Sequence, residues 1–143
     1  SHDGTYVVES TLDSGAAVSV ASRQAFPGYD VVSSEASEAG VVYAAANGQL
    51  VQDEGTVEPV FYTDEGLVRS MGYAVTDVHK VLTSAAKVCN NGCRIVLEGK
   101  DGDSYILDKE TGEKIALQQK DDVYVFNLHV VAPQRFQRQV CVP

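Results

Sequence analysis

The sequence is divided into short runs of apolar and β-branched residues, each ended after a few positions by turn-forming side chains. Residues 5–12, 41–46 and 123–131 are such runs, and Asn47-Gly48 comes directly after the second of them. Runs of this length that are rich in Val, Thr and Tyr are typical of β-strands, and Asn-Gly is a strong hairpin signal. The close spacing of the turns leaves no room for long helices. The chain is therefore predicted to be an all-β domain.

Residues 81–91 alone have the pattern of a helix, so we expect the β-domain to contain one short helix. Apolar side chains recur at helical spacing, Ser or Thr can cap the start, and Asn91-Gly92 can end it. We expect residues 1–93 to form a core. Residues 94–143 are expected to supply C-terminal strands that serve in dimerisation or begin a following segment, most simply within one compact domain.

The 143-residue chain is acidic, with a net charge of −9 and a pI near 4.6. Binding to nucleic acid requires a basic face, and Arg135 with Arg138 near the C-terminus does not supply one, so we expect no nucleic-acid partner. No apolar run approaches the ~20 residues that a membrane-spanning helix requires. The first ten residues also lack the features of a signal peptide. We therefore expect no membrane partner.

The residues that could bind a metal form no recognised pattern. Cys89 and Cys93 offer two thiols, but no His lies nearby after them to complete a zinc site. Asp101 begins a segment like a calcium loop, yet Gly112 stands where the bidentate acid belongs. With Cys141 the cysteines are odd in number, which does not suggest a disulfide framework. We expect no metal and no cofactor, and the role of the three cysteines stays open.

Asp13 ends the first predicted strand, in the sequence Leu-Asp-Ser-Gly-Ala. A carboxylate that activates water must be held rigidly, and the neighbouring hydroxyl of Ser14 can fix the loop by a hydrogen bond. Gly15 allows a close backbone approach, and apolar neighbours such as Ala16 would exclude water from the carboxylate. Asp, Ser and Gly are also common turn formers, so the same residues can simply end a strand. The segment alone does not decide between these interpretations.

The segment L-D-S-G-A-A-V-S-V at residues 12–20 resembles the active-site segment of retropepsins, the aspartic proteases of retroviruses and retrotransposons. Residues 44–55 resemble the flap of those enzymes, and residues 71–92 resemble their last inner strands and short helix. The order of these segments is most similar to the protease region of copia-type retrotransposon polyproteins, over approximately residues 8–128.

This resemblance implies a retropepsin-like acid protease barrel with one catalytic Asp loop in each chain. Many retropepsins have Gly in the loop that faces the catalytic turn, whereas this chain has Ser there, as copia-type sequences tolerate. The site residues that the resemblance implies are Asp13 as the catalytic carboxylate, Ser14, Gly15 and Ala16 as its loop, Asn47 and Gly48 in the flap, and Leu82, Thr83 and Ser84 in the loop facing the catalytic turn.

Aspartic proteases work with two carboxylates, and this chain contains a single Asp-[Ser/Thr]-Gly sequence. The resemblance therefore implies a homodimer in which each chain supplies Asp13. Its substrate would be an extended peptide of a polyprotein, and its location intracellular, in the cytoplasm or within virus-like particles. Two other interpretations stay open. The chain can be an inactive retropepsin-like domain that serves as a dimeric assembly module, or an unrelated β-domain that binds a partner.

Overall fold

The computed structural model describes residues 4–133. Within them the chain is mostly β, as the sequence predicts, but it has two short helices instead of the expected one. The helices are α1 (Glu35–Glu38) and α2 (Ala85–Asn90). The strands are β1 (Thr5–Asp13), β2 (Val20–Ala21), β3 (Val42–Ala44), β4 (Leu50–Gln52), β5 (Thr56–Val57), β6 (Val60–Tyr62), β7 (Val68–Ser70), β8 (Tyr73–Val75), β9 (Val81–Ser84), β10 (Cys93–Val96), β11 (Ser104–Asp108), β12 (Lys114–Lys120) and β13 (Val123–Val131).

Strand β1 lies in the middle of an 11-stranded sheet, whose order is β10-β11-β12-β13-β1-β9-β2-β8-β5, with β6 and β7 branching from β13. Along one edge β1 pairs antiparallel with β13, from Thr5 opposite Val131 to Leu12 opposite Tyr124. Along the other edge its C-terminal end pairs in parallel with β9. The last residue of β1, Asp13, lies just beyond the pairing with β13 and is opposite Ser84 of β9, so its backbone position is fixed mainly from the β9 edge.

The strands C-terminal to α2 belong to the same sheet as the N-terminal strands. β10 to β13 form successive antiparallel hairpins, and β13 then pairs with both β1 and β6. The β12–β13 hairpin turns through Asp121 and Asp122, with φ of 51° and 66°. Two left-handed residues in a two-residue loop define a type I′ turn, whose twist matches that of the strands. The sheet therefore runs without a break across the expected boundary at residue 93.

Buried apolar side chains from most of the strands form one cluster within residues 4–133. Leu128 and Val130 of β13 and Tyr73 of β8 are fully buried, and the rings of Phe26 and Tyr73 lie 5.3 Å apart between centroids. Burying an aliphatic side chain of this size contributes about 1.5–3 kcal/mol before conformational entropy is counted. The cluster thus holds together the strands on both sides of β1. Its other buried members are Ala21, Val57, Phe61, Val75, Val81, Val88, Ile106, Leu117 and Phe126.

Helix α2 begins at Ala85, whereas the sequence predicts a start at residue 81. Residues 81–84 form β9 instead, because they continue the hydrogen-bonded ladder of β1 and bury Val81 and Thr83. Pairing in the sheet therefore overrides the helical spacing of their apolar side chains. Ser84 ends the strand and caps the helix, since its hydroxyl accepts a hydrogen bond from the Lys87 N–H at 3.2 Å.

Three short segments form less or more regular structure than their local sequence indicates. The apolar run at residues 17–21 forms only the two-residue strand β2, and the run at residues 29–33 makes one bridge, between Val32 and Thr56. Helix α1 was not predicted, because none of its residues is buried and its capping box uses Ser37 where Glu or Gln is usual. A helix without an apolar stripe leaves no periodic signal in the sequence.

Candidate active site

Asp13 lies directly beside the end of β9. In the parallel pair, Thr11 is opposite Leu82 and Asp13 is opposite Ser84. We expected Leu82, Thr83 and Ser84 to form a loop facing the Asp13 turn, and that expectation is wrong in its conformation, because they are strand residues. Their position next to the turn results from the parallel register, in which two strands end at the same edge of the sheet.

The turn after β1 holds the Asp13 carboxylate through its own backbone. The Gly15 N–H donates to Asp13 Oδ1 at 2.8 Å, and the Ala16 N–H donates to the Asp13 carbonyl oxygen at 3.5 Å. A Cβ at Gly15 would lie 3.3 Å from the same Oδ1, so glycine leaves room for this close approach. Ser14 is exposed, and within residues 4–133 its hydroxyl makes no hydrogen bond. In a single chain the backbone, and not Ser14, fixes the carboxylate.

Ser84 connects the Asp13 turn to the rest of the molecule. It is fully buried, and its hydroxyl donates to the Ala16 carbonyl oxygen at 2.7 Å while accepting from the Lys87 N–H. Its own N–H donates to Ser19 Oγ at 2.9 Å. One side chain thereby joins the turn, the end of β9 and the start of α2. Sequence reasoning missed Ser19, because only the tertiary fold brings residues 19 and 84 together.

A row of buried hydroxyl groups lies under the two paired strands. Ser10 Oγ and Thr83 Oγ1 are 2.6 Å apart, and the Tyr73 hydroxyl is 2.9 Å from the same Thr83 oxygen. Burial raises the pKa of Tyr73, and its hydrogen bonds to Thr83 and Ser10 act in the opposite direction. All three side chains are within the core, where an unpaired hydroxyl is costly, so their mutual hydrogen bonds fix how β1 and β9 pack against β8.

Asn47 and Gly48 lie at the end of the β3–β4 hairpin, as the sequence predicts, but in a different turn. The loop has three residues, 46–48, closed by the Gly48 N–H donating to the Ala45 carbonyl oxygen at 2.8 Å. Gly48 has a φ of 84°, whereas Asn47 is not left-handed. This is the three-residue loop ending in a left-handed glycine, and Asn47 Oδ1 supports it by accepting from the Gln49 N–H at 2.9 Å.

Two cavities approach the Asp13 turn from different sides. The first, of about 450 Å³, extends along the face of β1 that carries Glu9 and Thr11 and is bounded by His79 and Lys80. The second, of about 470 Å³, is lined by Val18 and Ser19, which follow the Asp13 turn in the chain. The resemblance to retropepsins implies that Asp13 lies at the base of a cleft, but in a single chain Asp13 lines neither of these cavities.

The second cavity lies between three elements that converge near the Asp13 turn. Lys87 of α2 and Ser19 border it on the side of Ser84, and Tyr43 with Asp53 borders it on the side of the β3–β4 hairpin. Its lining is mixed, with one cationic group, Lys87, and two carboxyl groups, Glu35 and Asp53. This cavity therefore joins the base of the hairpin to the residues that support the candidate catalytic turn.

No cluster of three or more His, Cys, Asp or Glu side chains suited to a metal ion occurs in residues 4–133. Cys89 and Cys93 are free thiols, and burial, followed by the charge of Asp108, raises the pKa of Cys93. Cys141 and the arginines at 135 and 138 lie outside the described residues. Neither described helix has the length and hydropathy to cross a membrane.

No protein-family model matches the chain, and no curated protein and no solved structure matches it.

Proposed function

We propose that the protein is a retropepsin-like aspartic endopeptidase that works as a homodimer, with one Asp13 carboxylate from each chain. The observation that carries the proposal is the arrangement of two strand ends. The Asp-Ser-Gly-Ala turn comes directly after β1, is hydrogen-bonded to its own carboxylate through Gly15, and is tied to the end of β9 by Ser84. A catalytic carboxylate must be held in this way, because small displacements of a reacting group lower rates steeply.

In this mechanism two Asp13 carboxylates hold a water molecule between them. Like charges at such short range cannot both ionise, so the pair shares one proton. The ionised carboxylate takes a proton from the water, and the oxygen of that water attacks the carbonyl carbon of the peptide. At the same time the neutral carboxyl group donates its proton to the carbonyl oxygen. The resulting tetrahedral diol collapses as a proton passes to the leaving nitrogen and the C–N bond breaks.

The substrate in this proposal is an extended segment of a polyprotein. Such a segment binds as an additional strand, with alternate side chains in pockets on either side of its backbone. The β3–β4 hairpin, with Asn47 and Gly48 at its tip, would close over the segment and exclude water from the Asp13 pair. A retropepsin-like barrel and a location in the cytoplasm or in virus-like particles are parts of the same proposal.

The proposal is tested by cleavage of unfolded protein substrates, read by mass spectrometry, with and without pepstatin. Asp13→Asn should lower cleavage by at least about 100-fold, as expected when a general acid–base group is lost. Asp101→Asn is the matched control, because Asp101 is an exposed acid in the β10–β11 turn and should leave cleavage unchanged. Pepstatin-insensitive cleavage, or equal activity of the Asp13→Asn protein, would overturn the proposal.

The homodimer has its own test by mixing. When wild-type protein is equilibrated with an excess of the Asp13→Asn protein, most wild-type chains will pair with an inactive partner. Cleavage per wild-type chain should then fall as the variant is added, while the Asp101→Asn protein should cause no such loss. Cleavage that stays proportional to wild-type protein alone would show that each chain acts by itself.

A second candidate function is binding of a protein partner by the outer face of the sheet. On this face Tyr62 of β6 and its neighbour Val68 of β7 are 43% and 51% exposed, and Val7 of β1, 52% exposed, lies in the same cross-strand row on the other side of His129. Exposed apolar side chains that share one face of a sheet can contribute to an interaction surface. A protein that forms dimers without cleaving any substrate would favour this binding function, or an assembly module, over the protease.

A further inference from the structure

The β3–β4 hairpin is a separate small sheet, outside the hydrogen-bonded order of the main sheet. Its side chains alternate between two environments: Tyr43 and Val51 are paired and turn inward, whereas Val42 and Leu50 are exposed. The hairpin is therefore attached to the body of the protein through its base and its inner face, and contacts at the base determine the angle at which it leaves the sheet.

Asp53 makes three hydrogen bonds at this base. The residue is 3% exposed, and Oδ2 accepts a hydrogen bond from the Tyr43 hydroxyl at 2.6 Å. Oδ1 accepts from the Gly55 N–H at 2.9 Å, and the Asp53 N–H donates to the Val41 carbonyl oxygen at 2.9 Å. Hydrogen bonds to a buried carboxylate are stronger than neutral ones, so this residue fastens both strands of the hairpin to one point.

The segment just after Asp53 is fixed to the main sheet. The Glu54 N–H donates to the Val75 carbonyl oxygen, and the Val75 N–H donates to the Gly55 carbonyl oxygen, both at 2.8 Å. Gly55 has a φ of 129°, and a Cβ there would lie 2.6 Å from the Val32 carbonyl oxygen. Only glycine fits this position, so Asp53 projects from a rigid part of the backbone.

Tyr43 carries the connection from Asp53 into the hairpin. Burial, followed by the hydrogen bond and charge of Asp53, raises the pKa of Tyr43 to about 12. The phenol is protonated at neutral pH, and its O–H group donates a hydrogen bond to the Asp53 carboxylate. Tyr43 and Asp53 also line the cavity of about 470 Å³ that extends to Ser19 and Lys87 beside the Asp13 turn.

We infer that Asp53 is a positioning residue that acts through Tyr43 to set the angle of the hairpin between residues 42 and 52, and with it the position of the Asn47-Gly48 tip. The hydrogen bond joins the Asp53 carboxylate, which is fixed to the main sheet, to strand β3 of the hairpin, so its loss should loosen the hairpin without altering the Asp13 turn. The consequence for the substrate rests on the proposed protease function; the effect on the hairpin does not.

Amide hydrogen exchange of the Tyr43→Phe protein tests the effect on the hairpin. This change removes one hydroxyl group and keeps the ring, so exchange in residues 42–52 should become at least about fivefold faster while residues 73–75 keep their rate. Tyr62→Phe is the matched control, because within residues 4–133 the Tyr62 hydroxyl makes no hydrogen bond. Asp53→Asn, which keeps an acceptor but loses the charge, should give an intermediate rate.

Steady-state cleavage of a peptide tests the consequence for the substrate. Tyr43→Phe should raise KM by about threefold or more with kcat nearly unchanged, since a looser hairpin weakens binding but leaves the Asp13 pair intact.

Equal exchange of residues 42–52 in Tyr43→Phe and Tyr62→Phe would overturn the inference whether or not the protein cleaves peptides. Faster exchange with an unchanged KM would overturn its link to the substrate. A wild-type protein without cleavage would refute the proposed function and leave the exchange result to decide the role of Asp53.

Discussion

Asp13 and Ser84 are opposite each other at the ends of the parallel strands β1 and β9, and the Ser84 hydroxyl also holds the turn after Asp13 through the Ala16 carbonyl oxygen at 2.7 Å. The candidate catalytic carboxylate is thus positioned by a residue 71 positions later in the chain, which itself starts helix α2. A substitution at Ser84 should therefore alter the turn after Asp13, and a substitution in that turn should alter the end of β9.

Replacing Ser84 should lower the stability of the protein. Ser84→Ala removes the hydrogen bond to the Ala16 carbonyl oxygen and the cap on the Lys87 N–H, so the free energy of unfolding should fall by about 1–3 kcal/mol. Ser70→Ala is the control, because among residues 4–133 the Ser70 hydroxyl makes one hydrogen bond, donated to the Pro59 carbonyl oxygen at 3.1 Å. Urea unfolding measures both variants. An equal or smaller loss in Ser84→Ala would contradict a connecting role for Ser84.

Replacing Gly15 should lower activity with little effect on stability. The added methyl group of Gly15→Ala would lie 3.3 Å from Asp13 Oδ1, so the carboxylate must shift by a few tenths of an ångström. We expect kcat to fall about tenfold while the melting temperature changes little. Gly66→Ala should show the reverse, because Gly66 has a φ of 87° and an open surrounding, so only backbone strain results. Unchanged kcat in Gly15→Ala would argue against a catalytic Asp13.

Association should be stronger in mildly acidic buffer and at higher salt. The proposed dimer brings two Asp13 carboxylates to short range, where protonation of one relieves the repulsion between them, so the dimer is favoured as pH falls and weakened as pH rises. The net charge of −9 acts in the same direction, and salt screens it. Sedimentation velocity at several pH values measures this. Asp13→Asn should flatten the dependence, and an identical dependence in both proteins would count against a shared proton.

Stability should decline as pH rises above about 10, and Tyr6 and Tyr43 should contribute to that decline together with the buried Tyr73. Burial raises the pKa of Tyr6 and of Tyr43 from 10.0 to about 12 in the folded protein. The folded state therefore holds these protons more tightly than the unfolded chain, and the stabilisation is present below pH 10 and lost as pH rises through 12. Urea unfolding from pH 9 upward should show a smaller decline for Tyr6→Phe. An equal decline in the wild-type and Tyr6→Phe proteins would show that the alkaline loss of stability comes from groups other than Tyr6.

Two buried threonines should respond oppositely to the same change. Thr76 Oγ1 is buried without a hydrogen-bond partner in residues 4–133, so Thr76→Val should stabilise the protein by about 1 kcal/mol. Thr83 is also buried, but its hydroxyl is bonded to Ser10 and Tyr73, so Thr83→Val should destabilise it by about 1–3 kcal/mol. Chemical denaturation of both variants measures the difference. Changes of the same sign would contradict this account of the core hydroxyls.

The class of the fold and the turns could be predicted because their signals are local. Alternating apolar residues and frequent turn formers indicate strands wherever they occur, and they identify β1, the β3–β4 hairpin and β13 within a few residues. The position of Asp13 at the end of β1 could be predicted in the same way, since the change from β-branched residues to Asp-Ser-Gly ends a strand regardless of its partners.

The tertiary structure decided which strands pair and therefore what lies beside Asp13. Residues 81–84 have helical spacing, yet they form β9 because burial against β1 contributes more than local propensity. Likewise β13 pairs with β1 from Thr5 to Leu12, although the two strands are more than 100 residues apart in the chain. A strand presents the same backbone groups to every neighbour, so its partner is selected by the shared burial of side chains on one face, which no local sequence pattern records.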